Sequence, residues 1–235
     1  MLLQALPAMA AEPPHTLSNF SEARRLAAEV YLDHRQTFYC GCGYDSKKRV
    51  EAAECGYTPR KNQKRGQRIE WEHVVPAHAL GATRQCWREP ICSNSKGEKY
   101  KGRQCCEQVD PVFRTMVSDL HNLVPAVGEL NGDRNNFSFS MLEGEAREYG
   151  ACDFEVDSRS RKAEPMPSIR GDIARIYFYM QQTYGVPISG KQRRLFEAWD
   201  KGDPVDTWEQ QRNARIDTIV ARQRAERAAL LLGRR

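Results

Sequence analysis

Glu70-Trp71-Glu72-His73-Val74-Val75-Pro76-Ala77 sets a carboxylate beside a histidine in a short apolar segment closed by proline. Ile69, Trp71, Val74 and Val75 supply β-prone bulk, so residues 68–76 read as a strand. Downstream, Asp119-Leu120-His121-Asn122-Leu123-Val124-Pro125 predicts a second strand over residues 120–124. Pro125 is then placed to open a helix at its first turn, carrying Val127, Leu130 and Asn131. Gly132, inside Glu129-Leu130-Asn131-Gly132-Asp133-Arg134-Asn135-Asn136, weakens that helix. A hard oxygen ligand, a proton acceptor and a cluster of amides form the inventory of metal-assisted hydrolysis.

A phosphodiester suits that inventory. Its anionic oxygens repel nucleophiles, so cleavage at neutral pH needs positive charge on those oxygens and a base for the attacking water. Mg2+ prefers carboxylate, carbonyl and water oxygens and keeps several waters, so one carboxylate and one amide oxygen from the protein suffice. Neutral histidine, with an ordinary pKa of about 6.5, can take the proton. Glu72 can be the ligand and His73 the base. Adjacent residues of a regular strand point to opposite faces, so the two serve one phosphate only if the strand bulges or ends there. Pro76 offers an ending.

Taken singly, these residues have plainer readings. A lone histidine in an apolar strand is more often packed than catalytic, and Glu70 is either a rival ligand or a solvated charge. Asn131-Gly132-Asp133 is a turn-forming sequence, which leaves Asn135 and Asn136 as fallback ligands. His121 reads as structural, His15, His34 and His78 as incidental, and Tyr177 and Tyr179 as core. The Lys/Arg run of residues 47–68 reads as a solvated face able to follow phosphates.

Over the whole chain, 36 Lys and Arg against 31 Asp and Glu give a net charge of +5, compatible with a polyanionic partner without requiring one. Seven of the eight cysteines fall between Cys40 and Cys106, with Cys152 alone downstream. That usage favours disulfides and an oxidising compartment, because paired C-x2-C motifs and a histidine partner for zinc are missing. Cys105 and Cys106 do not pair with each other, adjacency being a poor fit to disulfide geometry; the connectivity stays open. Residues 1–11 end in Ala8-Met9-Ala10 and resemble the end of a signal peptide, which points to a periplasmic or secreted protein. Asn19-Phe20-Ser21-Glu22 has the form of a capping box, and helical spacing follows from Phe20 through Val30 and Tyr31 to Phe38. Residues 44–68 read as irregular and cross-linked, residues 78–110 as a long cross-linked loop, and residues 169–184 and 192–199 as helices. Past Thr207 the composition is again helical.

EWEHVVPA at residues 70–77, SDLHNLVPAVGELNGDRNNF at 118–137 and GDIARIYFYM at 171–180 resemble the endonuclease I family of periplasmic and secreted bacterial nucleases. The likeness runs from about residue 20 to about residue 211. It implies an α+β fold, mixed and mostly helical: one disulfide-cross-linked domain over residues 12–235 around a ββα-metal core like that of HNH nucleases. It also implies Mg2+-dependent endonucleolytic cleavage of DNA, with RNA as a second substrate, through phosphate contacts of little sequence preference. Products carry 5′-phosphates, Mn2+ or Ca2+ can substitute for Mg2+, and a monomer free of the membrane is expected. By the same resemblance His73 is the general base, Glu72 and Asn131 hold the metal, and Asn122 is the strand asparagine that orients the base. Arg103 matches the loop arginine that contacts phosphate, with Arg84 and Arg88 as rivals. The chain departs from the family pattern in its longer, cysteine-richer loop and after Ile216. Two other classes compete: a disulfide-stabilised nucleic-acid-binding protein without turnover, and a zinc protein built on the cysteines.

Overall fold

A computed structural model describes Leu17, residues 19–144 and residues 146–232; the expected leader and His15 lie outside the described residues. Asn19 caps α1 (Phe20–Val30), its Oδ1 accepting from the Ser21 and Glu22 amides at 2.9 and 3.4 Å. The helix buries Ala23, Leu26, Ala27 and Val30 and stops at Tyr31 rather than continuing to Phe38. The reason is tertiary: the Phe38 amide donates to the Pro125 carbonyl, and Gln36 bridges Gly43, drawing the chain into an extended run.

Residues 44–68 are irregular, as expected. They hold two one-turn helices, α2 (Ala52–Cys55) and α3 (Gln63–Gly66), and Cys55 ties them back to Cys42 just upstream. The chain then enters β1 (Ile69–His73), which pairs antiparallel with β4 (Leu123–Val127) in the register Ile69↔Val127 to His73↔Leu123. Between them residues 78–110 correct the expectation of a loop. They form α4 (Ala77–Gly81), α5 (Gln85–Arg88), the short hairpin β2 (Cys92–Ser93) and β3 (Lys99–Tyr100), and α6 (Arg103–Val109); α7 (Pro111–Val117) follows. One- and two-turn helices carry little periodicity and are weak alone. Here Cys86–Cys106 and Cys92–Cys105 pin them together.

The second strand also differs from expectation. Leu120–Asn122 forms a 3-10 turn capped by the Asp119 carboxylate, and the strand starts only at Leu123. Pro125 opens no helix; it sits mid-strand opposite Trp71. A proline is tolerated there because β1 and β4 form a two-stranded sheet in which each is an edge. Helix α8 (Gly128–Arg134) begins three residues later and passes through Gly132 unbroken. A Cβ at Gly132 would come within 2.1 Å of the Arg65 guanidinium, so the glycine lets Arg65 lie across the helix.

Beyond α8 comes a three-stranded sheet that the sequence reading missed, in the order β5 (Ser138–Phe139), β7 (Lys162–Pro165), β6 (Phe154–Asp157). Cys40–Cys152 ties this region to the N-terminal third. Helices α9 (Arg170–Tyr184), α10 (Gly190–Gly202) and α11 (Thr207–Leu232) complete the chain. The larger apolar cluster includes Val124, Ala126, Leu130, Phe113, Ile173 and Phe196. The smaller one gathers α1 with Ile69, Trp71, Leu123 and Ile216. The β1–β4 ribbon therefore lies between two cores. The fold is α+β, mostly helical and cross-linked by four disulfides. No helix among the described residues is long and apolar enough to cross a membrane.

Candidate active site

The geometric difficulty of Glu72 beside His73 resolves at the end of β1. The strand stops at His73, and Asn122 holds the next two residues. Its carbonyl accepts from the Val74 amide at 3.1 Å, its Oδ1 from the Val75 amide at 2.7 Å, and its Nδ2 donates to the Val75 carbonyl at 2.9 Å. This bends the chain toward Pro76 and α4. Glu72 and His73 leave opposite faces of the strand, yet both border one open cleft of about 470 Å³. Phe20, Arg103, Asn131, Asn135 and Asn136 border it as well.

His73 is 6% exposed. Its Nε2 lies 2.8 Å from the Val117 carbonyl, and a carbonyl only accepts, so Nε2 carries the hydrogen and Nδ1 holds the free lone pair. The Phe20 ring stacks on the imidazole at 5.0 Å and 26°. Burial, reinforced by the charges of Arg103 and Arg134, pushes the His73 pKa down to about 4. The ring is therefore neutral at pH 7, the form a base requires.

Glu72 is 4% exposed. Tyr39 Oη and Arg134 Nη1 both donate to its Oε1, each at 2.9 Å. The His73 amide also donates to this carboxylate. Burial pushes the carboxyl's pKa up, while Arg134 and Tyr39 pull it back. Asn131 gives Nδ2 to Glu70 Oε2 at 3.4 Å, which leaves Oδ1 as its available oxygen. Glu70, the rival ligand, is instead committed to Arg65 and Arg68. No cluster of three or more His, Cys, Asp or Glu among the described residues could hold a metal by itself. A hard cation here would rest on the Glu72 carboxylate, Asn131 Oδ1, waters and a substrate phosphate.

Of the loop arginines, Arg103 borders the cleft. It bonds Glu107 at 2.7 Å and sits 5.3 Å over the Phe20 ring, with its side chain 40% exposed. Arg84 is paired with Asp110 outside the cleft lining, and Arg88 is not part of that lining either. Among the described residues the Asn122 side chain bonds the Val75 backbone, two residues past His73, rather than the His73 ring. His121 is held by Asp119 and lies against the Tyr179 ring, tilted 34° to it at 4.4 Å. Sequence reasoning missed Tyr39, Phe20 and Arg134 as parts of this site. Only Arg134 left a signal: a charged residue three positions after Asn131, hence on the same helix face.

An antiparallel strand pair followed by a helix thus sets a carboxylate, a neutral imidazole and an amide around one cleft, an inventory for hydrolysis. Comparison with known proteins names the kind. The family model for Endonuclease I matches residues 27–224. An extracellular deoxyribonuclease of Aeromonas hydrophila is 44% identical over 210 residues, 88% of this chain and 87% of the relative. A periplasmic deoxyribonuclease of the same organism is 42% identical over 222 residues, covering 93% and 87%. Endonuclease-1 of Buchnera aphidicola subsp. Acyrthosiphon pisum is 41% identical over 207 residues, covering 87% and 78%. The chain belongs to the endonuclease I family. It is an exported enzyme: its relatives bear extracellular and periplasmic names, and all eight cysteines are closed in disulfides, which leaves none for zinc.

Proposed function

We propose that this chain is a divalent-cation-dependent endonuclease that hydrolyses DNA in the periplasm or outside the cell. The observation that carries the reading is the orientation of His73. With Nε2 spent on Val117 and the ring neutral, Nδ1 is left as a base in the same cleft as Glu72 and Asn131. Glu72 and Asn131 would hold the cation, which when bound neutralises phosphate oxygens. His73 Nδ1 takes the proton of the attacking water as the water oxygen bonds to phosphorus and the bond to the 3′ oxygen breaks, the departing 3′ oxygen taking a proton from solvent, so the phosphate stays on the 5′ end. Phe20 fixes the plane of the imidazole, and Arg103 supplies charge to a phosphate in the cleft. DNA is favoured as substrate because relatives aligned over most of this chain are named deoxyribonucleases. Binding without turnover has no such support.

His73→Ala tests the assignment. Supercoiled-plasmid cleavage should fall on the order of 10²–10⁴-fold, while a gel shift in EDTA is unchanged. Cleavage at the wild-type rate would remove His73 as the base.

A further inference from the structure

Glu72 and Asn131 stand on different elements, β1 and α8, and the two-stranded ribbon does not by itself set how the following helix lies against it. Arg134 spans that gap. It shares the inner face of α8 with Asn131, and its side chain is 0% exposed. Nη1 donates to Glu72 Oε1 and to the His73 carbonyl, both at 2.9 Å, and Nη2 donates to the Val74 carbonyl at 2.6 Å. The guanidinium carbon lies 4.5 Å from the centre of the Phe139 ring, which serves as its floor. One planar group thus grips the carboxylate and the two carbonyls at which β1 ends.

We propose that Arg134 is a positioning residue that fixes Glu72 relative to Asn131, and so sets the oxygen pair offered to the cation. The inference rests on reading those two residues as ligands. Two plainer accounts of Arg134 predict different behaviour. As a charge, it repels a cation bound to the same carboxylate, so its loss would tighten binding. As core filling, it is a poor choice, because an apolar side chain of similar volume avoids the desolvation of a buried cation. What only arginine supplies is the rigid fork that meets three acceptors at once; a lysine ammonium is a point charge on a flexible stem.

The test is Mn2+ titration without substrate, following the free-ion EPR signal, on oxidised full-length wild type, Glu72→Gln, Arg134→Lys and Arg134→Met, with a thermal melt of each. Wild type should bind Mn2+ and Glu72→Gln should not. Both Arg134 variants should bind on the order of 10–100-fold more weakly, lysine giving no rescue. In plasmid cleavage their kcat should fall while KM stays within about two-fold. Wild-type or tighter Mn2+ binding by either variant, with only the melting temperature lowered, would overturn the proposal. If neither variant folds, Phe139→Leu loosens the floor and leaves every donor in place. It should weaken Mn2+ binding several-fold, and unchanged affinity would count against Arg134. Wild type and Glu72→Gln binding alike would sink the ligand reading and this inference together. Binding that depends on Glu72 but not on Arg134 would sink this inference alone.

Discussion

Acidification should cost stability through His73 over a defined window. Burial, with Arg103 and Arg134 adding to it, holds the folded ring at a pKa of about 4 against an ordinary 6.5. Between those values the unfolded chain binds a proton that the folded chain does not. Stability therefore falls as the pH drops through 6.5, and the loss levels off below about 4. The window spans ~2.5 pH units, and at about 1.4 kcal/mol per unit the loss totals ~3 kcal/mol. Asp172 runs the other way. Burial first, and then Glu209, push it from 3.8 up to about 7, so its contribution is full below 3.8 and is lost as the pH rises through 7. A wild-type profile mixes the two groups, whereas the difference between wild type and His73→Gln isolates the imidazole. The assay is guanidinium unfolding at a series of pH values from neutral to about 4, with disulfides intact. The stability difference, wild type minus variant, should fall by ~3 kcal/mol on acidification. A flat difference, or one that grows, would refute the account of a buried neutral base.

Other perturbations separate the parts of the site. Arg103→Ala should slow cleavage less than His73→Ala does, and it should move the acid limb of kcat/KM upward, since it removes a charge that holds His73 down. A pH–rate profile with an unmoved limb would contradict that coupling. Asn122→Leu leaves both backbone groups of Val75 unpaired in the core and should cost ~2–4 kcal/mol in a denaturant melt. Opening Cys40–Cys152 with paired serines frees a loop with a sequence separation of 112 and should cost about 5 kcal/mol. Opening Cys42–Cys55, separation 13, should cost about 3 kcal/mol. The reverse order of the two melts would show that chain entropy does not govern these cross-links.

The sequence made the chemistry legible where it is local. Glu72 and His73 stand side by side in one short block whose residue types suggest ligand and base, Asn131 is reached only through the family resemblance, and the structure brings all three to one cleft. Asn19 as a helix cap was legible for the same reason, since the cap and the amides it serves are sequence neighbours. What escaped depends on distant contacts. Arg134 acquires its partners only when β1 is laid against α8, and Tyr39 reaches Glu72 across 33 positions. Phe38 seemed to extend α1 because its spacing fits, yet its amide is claimed by Pro125 from the far strand. Residues 78–110 looked like a loop because two disulfides, rather than an apolar stripe, hold their short helices. Pro125 misled because its rigid backbone suits a strand edge as well as a first helical turn.

The most direct test of the central claim is supercoiled-plasmid cleavage by the oxidised protein in Mg2+ and in EDTA, with Glu72→Ala alongside. Smearing to short fragments in Mg2+ only, lost in the variant, is the predicted result. Cleavage that persists in EDTA, or that survives Glu72→Ala unchanged, would contradict a cation held at Glu72 and the mechanism built upon it.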